Sequence, residues 1–155
     1  MKLGDHVRPE LVTTGLRGRT VEEVLTELAA LPAGTGQVAD VDALVASLAR
    51  RERMHRTALG SGVAVPHALC AELAAPTVVV GISDEGAPFG AGEEGDVVHV
   101  FFMVLSPPER SSAHIKLLAR IARLSRHSDF LSSLRASGSG DDAVETIRDF
   151  ESRHV

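Results

Sequence analysis

The chain has 155 residues, 44% hydrophobic and 24% charged, with a formal net charge of −5. That length suits one domain that buries roughly 70% of its unfolded surface, and the core must be aliphatic because five Phe stand beside no Trp and no Tyr. The acidic balance without a basic, aromatic-interleaved run argues against nucleic acid, the lone Cys70 cannot close an internal disulfide, and no apolar run nears the roughly 20 residues that membrane insertion needs.

Met1 to His6 carries no apolar leader core, so the cytoplasm is the expected location. Thr20 reads as a helix N-cap, with Glu22 and Glu23 in the first turn, where carboxylates suit the helix dipole. Val21, Val24, Leu25 and Leu28 recur at helical spacing, and Pro32 with Gly34 is expected to end that run. Gly34-Thr35-Gly36-Gln37-Val38-Ala39 has the letters of a dinucleotide fingerprint but follows a helix, not a strand, and reads as a linker. Asp40 caps a second helix whose apolar stripe is Val41, Leu44, Val45 and Leu48. Arg50, Arg51 and Arg53 crowd its last turns.

Residues 63–65 form a short strand stopped by Pro66. The apolar runs at 77–82 and 97–105 are expected to be strands covered on both faces, the second ended by Ser106-Pro107-Pro108. Ser111 or Ser112 caps a helix carrying Ile115, Leu117, Leu118, Ile121 and Leu124. A short helix at 130–134, a Ser137-Gly138-Ser139-Gly140 link and a last helix capped by Asp141 or Asp142 follow. The fold class is therefore α/β, with helices covering a central sheet in a single domain over residues 1–155.

The chemistry concentrates between Arg51 and His67. Pro66 fixes its own φ and biases Val65 toward extended backbone, so His67 sits on stiff chain. A largely neutral imidazole is a usable nucleophile at pH 7, and a guanidinium grips phosphate oxygens bidentately. The glycine-punctuated turn at Gly60-Ser61-Gly62 is compact enough to bring the chain back to Arg51. Thr57 and Gly62 are the further candidates for binding the transferred group, through a hydroxyl and through close backbone approach, although Thr57 also suits a structural role in the turn. His114 shares a face with Leu117, Leu118 and Ile121 in the first turn of its helix, where the positive dipole disfavours a charged ring. Seven histidines raise a metal site as the rival, but none pairs at helical ligand spacing with a carboxylate; no metal and no cofactor are expected. His6, His127 and His154 read as surface residues.

Arg51-Glu52, Thr57, Gly60 and Gly62-Val63-Ala64-Val65-Pro66-His67 resemble the signature of the fructose/mannitol-type enzyme IIA of the bacterial phosphotransferase system, a group that includes nitrogen-regulatory IIA proteins. The similarity spans nearly the whole chain. It implies a mixed sheet with helices on both faces, phosphorylation of His67 on Nε2, and Arg51 and His114 in the phosphoryl pocket. It implies as donor the histidine-containing phosphocarrier protein, and as recipient a IIB component or, in the nitrogen-type alternative, a regulatory target. The family usually has a small hydroxyl residue where Arg56 stands; Arg56 and neighbouring His55 either add to the pocket or face solvent. A small apolar docking patch is expected around His67, with Ala64, Ala68 and Leu69 as members.

Overall fold

The computed structural model describes residues 1–89 and 96–154. In chain order the elements are β1 (Val12–Thr13), α1 (Val21–Gly34), α2 (Val41–Met54), β2 (Val63–Ala64), β3 (His67–Leu69), β4 (Thr77–Phe89), β5 (Asp96–Ser106), α3 (Ser111–Leu124), α4 (Ser128–Arg135) and α5 (Gly140–Arg153). The five strands form one mixed sheet in the order β1-β4-β5-β2, with β3 also on β5. β4 and β5 pair antiparallel through its centre, while β1 joins β4, and β2 and β3 join β5, in parallel.

Side chains alternate faces along a strand, and the two apolar runs supply both faces. Val78, Val80, Ile82, Val100, Phe102 and Val104 enter one core with Leu117 and Ile121 of α3, Phe130 of α4 and Ile147 and Phe150 of α5. Val79, Phe89, Phe101, Met103 and Leu105 enter the other with Leu25 and Leu28 of α1 and Leu44 and Leu48 of α2. The architecture is thus three layers, α1 and α2 on one side and α3 to α5 on the other. At Gly81 a Cβ would stand 2.6 Å from Leu28 Cδ2, so the missing side chain lets α1 lie close on β4.

Thr20 and Asp40 cap as their chemistry suggests: each side-chain oxygen accepts from a backbone N–H three residues on. α1 ends at Gly34 as expected, with Pro32 buried inside its last turn. Two expected boundaries move. Ser111 opens α3 as its first residue, with no side-chain cap, rather than capping it. Ser139, not Asp141 or Asp142, caps α5, and the two carboxylates occupy the first turn instead. The strand expected at 77–82 continues to Phe89 past a register shift between Ile82 and Ala87. His6 is half-buried rather than free at the surface, with Nδ1 donating to the Pro76 carbonyl.

Glu151 of α5 ties the ends of the chain together. Its carboxylate is 1% exposed and accepts from the backbone N–H of Leu3 and Gly4 and from Arg120 Nε of α3. A buried carboxylate is tolerated only when its lone pairs are used, and here one cation and two amides use them. Glu151→Ala would leave Arg120 and two amides without a partner, so urea unfolding should show a loss of about 3 kcal/mol, with the chemistry at His67 unchanged.

Candidate functional site

β2 and β3 behave as one edge strand interrupted at its middle. Val63 and Ala64 pair with Val100 and Phe101, and His67 to Leu69 pair with Val104 to Ser106, so the register against β5 is kept across the gap. Pro66 has no N–H to give, and an edge is where a sheet tolerates proline; its carbonyl still accepts from Val104 N at 2.9 Å. Val65 faces the other way. Its N–H donates to the Thr57 carbonyl, and its own carbonyl accepts from His67 Nδ1 at 2.8 Å.

That last bond settles the ring. With the proton on Nδ1, the lone pair is on Nε2, where Arg51 Nε donates to it at 3.1 Å. Arg51 stands in the last turn of α2 and reaches round the sheet edge to do so. From the opposite layer His114, on the first turn of α3, brings its ring to 5.5 Å from that of His67 at 62°. The three side chains line one open groove of about 520 Å³, with Ser47, Leu69, Ser111 and Ile115 around them. The uncapped N-terminus of α3 opens on this groove at Ser111, and its positive end favours an anion there.

Electrostatics keep both rings neutral. Burial pushes the His67 imidazolium down from its ordinary value, the Val65 carbonyl opposes this, and Arg51 lowers it further while Glu52 raises it. Burial, then the neighbouring His67 and Arg51, push His114 down to about 4. Ser106, fully buried at the end of β5, lies with Oγ 2.8 Å from His114 Nδ1. Among the described residues this hydroxyl has no other partner, and the contact fixes the orientation of the ring. A neutral His114 thus stands beside a neutral nucleophile. The nearby guanidinium also makes the pair hostile to a metal cation.

Other candidates lie elsewhere. The Thr57 hydroxyl is committed to Glu52 Oε1 at 2.7 Å and its N–H to Oε2 at 2.9 Å, so it anchors the turn rather than facing the groove. Gly62 has φ +79° and lines a separate pocket with Ser61 and His99. Arg56 is exposed beside Arg53 and Glu22 in a third depression, outside the groove, and His55 is exposed beyond the end of α2. Ala64 is 0% exposed and belongs to the core, not to a docking patch, because its parity along β2 points it at α1 and α2. Leu69 and Ile115 do stand out, 48% and 66% exposed. Sequence reasoning missed Ser106 and Ile115: the first read as a strand stop, the second as part of an apolar stripe.

A shallow groove holding one lone-pair nitrogen, a guanidinium and a second neutral imidazole suits a small anionic group. The chain belongs to the EIIA 2 family of the phosphoenolpyruvate-dependent sugar phosphotransferase system, whose model matches residues 5–150. It is 36% identical over 138 residues to a nitrogen regulatory protein of Bradyrhizobium diazoefficiens, covering 88% of each chain. Its fold is similar to that of the nitrogen regulatory protein IIA-Ntr from Neisseria meningitidis, with a TM-score of 0.80 at 22% identity over 94% of this chain and 98% of that one. It is also similar to the Escherichia coli complex of enzyme IIAMTL and phosphorylated enzyme IIBMTL, with a TM-score of 0.76 at 22% identity over 92% and 97% of the chains.

NMR titration of the ring nitrogens should place His114 near pH 4 and His67 below 6.5, and Arg51→Gln should raise both by removing a cation. Because both folded values lie below the unfolded one, the unfolded chain binds more protons in this window. Stability should be full above pH 6.5 and fall as pH drops from there toward 4. In Ser106→Ala the same spectra should show the His114 tautomer balance change, because Nδ1 loses its partner.

Proposed function

We propose that this protein carries a phosphoryl group on Nε2 of His67, taking it from the phosphohistidine of the histidine-containing phosphocarrier protein and passing it to a IIB component during sugar uptake. The observation that carries this is the 2.8 Å bond from His67 Nδ1 to the Val65 carbonyl, which leaves Nε2 as the nucleophile. The new N–P bond forms at Nε2 as the donor's N–P bond breaks, and the donor ring takes back the electron pair. His67 keeps its Nδ1–H on Val65, and that carbonyl steadies the positive charge the ring gains on substitution.

Arg51 cannot go on donating to a nitrogen whose lone pair is used. Its fork turns to the phosphoryl oxygens, where a planar guanidinium fits best. His114 and the N-terminus of α3 meet the same oxygens from the other side. Phosphoryl transfer asks mainly for alignment and charge stabilisation, and these three supply both. The reaction needs the groove open to two successive protein partners, and Leu69, Ile115 and Leu118 give it an apolar rim, while Ala68, 7% exposed, belongs with Ala64 to the core rather than to a docking patch.

The likeness to a nitrogen regulatory protein favours one second reading, in which the same phosphorylation switches binding to target proteins. A phosphoryl group adds roughly −1.5 to −2 charge at one surface point, enough to reverse a docking preference. The chemistry at His67 is the same in both readings; the recipient differs.

Incubation with phosphoenolpyruvate, enzyme I and the phosphocarrier should add one acid-labile, alkali-stable phosphoryl group, and His67→Ala should take up none. Arg51→Gln should phosphorylate about 10–100-fold more slowly, the loss of one charge-assisted hydrogen bond. Ile115→Glu should weaken docking about tenfold, seen as a raised KM for the phosphocarrier with the fold intact. Label passing on to IIB proteins of the same cell supports the relay. Label retained, with partner binding changed by it, supports the switch. Label persisting in His67→Ala overturns both.

A further inference from the structure

A second pocket lies at the far end of the same edge strand, bounded by Gly62 and Val63 on one side and by the α3–α4 corner on the other. Its volume is about 260 Å³, below the roughly 300–1,000 Å³ of sites for drug-sized ligands. Nothing in the phosphoryl relay uses it.

Three independent features give it one chemistry. Arg126 and Arg135 line it, and neither forms an ion pair among the described residues. On a chain of net charge −5, a lining with two guanidinium groups and no carboxylate is a local reversal of sign. Secondly, α4 begins at the pocket: its N-cap residue His127 supplies no side-chain bond, and Ser128 of the first turn is part of the lining. Thirdly, Ser125 is 4% exposed, lines the pocket, and its Oγ has no hydrogen-bond partner among the described residues. A buried hydroxyl left unsatisfied is costly, and such groups in native structures mark a missing partner. An oxyanion would accept from that hydroxyl, from the free amides of α4 and from both arginines. The floor is apolar, from Val63, Val100 and Leu131, so the pocket also shelters a few carbon atoms behind the charged end.

We infer that this pocket is a binding site for a small phosphate monoester, separate from the His67 groove and independent of the relay proposed for it. Gly60 and Gly62 hold φ of +88° and +79° in the turn that forms the other wall, where the Gly62 carbonyl accepts from His99 N and Val100 N and the Ser61 hydroxyl donates to the Ser125 carbonyl.

The test is residue-resolved NMR titration of the intact protein with inorganic phosphate and with glycerol phosphate, against sodium chloride at matched ionic strength and against succinate as a carboxylate. The amides of Gly62, Ser125 and Ser128 should shift saturably with both phosphates, more tightly with glycerol phosphate, and weakly with succinate. Arg135→Gln should weaken this at least tenfold and Ser125→Ala several-fold, while any shifts at His67 to Leu69 stay as in the parent protein. Both substitutions spare the His67 groove, so His67 phosphorylation should proceed at the parent rate. No saturable shift at the pocket amides, equal affinity in Arg135→Gln, or succinate binding as tightly as phosphate would each overturn the assignment.

Discussion

One hydrogen bond, from His67 Nδ1 to the carbonyl of Val65, organises the chemistry of this protein. It decides which nitrogen carries the lone pair, and so which nitrogen faces Arg51 and the groove. The carbonyl is available because Val65 points away from β5, on an edge strand where Pro66 interrupts the ladder. A central strand has a neighbour on either side, so such a carbonyl would be committed to the sheet. The same edge position lets side chains from the two helical layers meet at one point, Arg51 from α2 and His114 from α3.

The site is held from behind by groups that never touch the transferred phosphoryl. Glu52, beside Arg51 and 4% exposed, uses both carboxylate oxygens on Thr57 and so fixes where the turn leaves α2. That turn folds back as a narrow hairpin, with Leu59 N donating to Val63 O and Val65 N to Thr57 O. Ser106 holds the His114 ring in place from inside the sheet. The arrangement thus rests on polar groups that are buried and paired, which resist displacement because each break leaves an orphan.

Much of this was legible before any coordinates. The helices announce themselves through period and caps, as at Thr20 and Asp40, because those signals are local. The two long strands follow from uninterrupted apolar runs, since a strand buried on both faces has no polar alternation to show. What failed to show depends on pairing across the chain. The two-residue β1 and the continuation of the edge strand into β3 exist only because β4 and β5 offer a ladder to join. The inward turn of Ala64 follows from a parity that is set once the register on Phe101 is known. Arg51 and His67 read as partners because a short turn joins them, whereas Ser106 could be matched to His114 only after Ser106 and the first turn of α3 were placed side by side. Gly62 has the positive φ that a glycine in such a turn suggests, but it lines the other pocket.

The clamp at Glu151 also imposes an order in time. The amides it satisfies belong to Leu3 and Gly4, 148 and 147 positions earlier, so both stay without their partner until Glu151 has been made. Before α5 is made, α3 and α4 can already pack on their side of the sheet, but the turn at Leu3 and Gly4 has nothing to hold it. Maturation of the nascent protein therefore ends with a late clamping step, and premature termination shortly before Glu151 would keep α3, α4 and most of α5 yet lose the carboxylate that holds Leu3, Gly4 and Arg120.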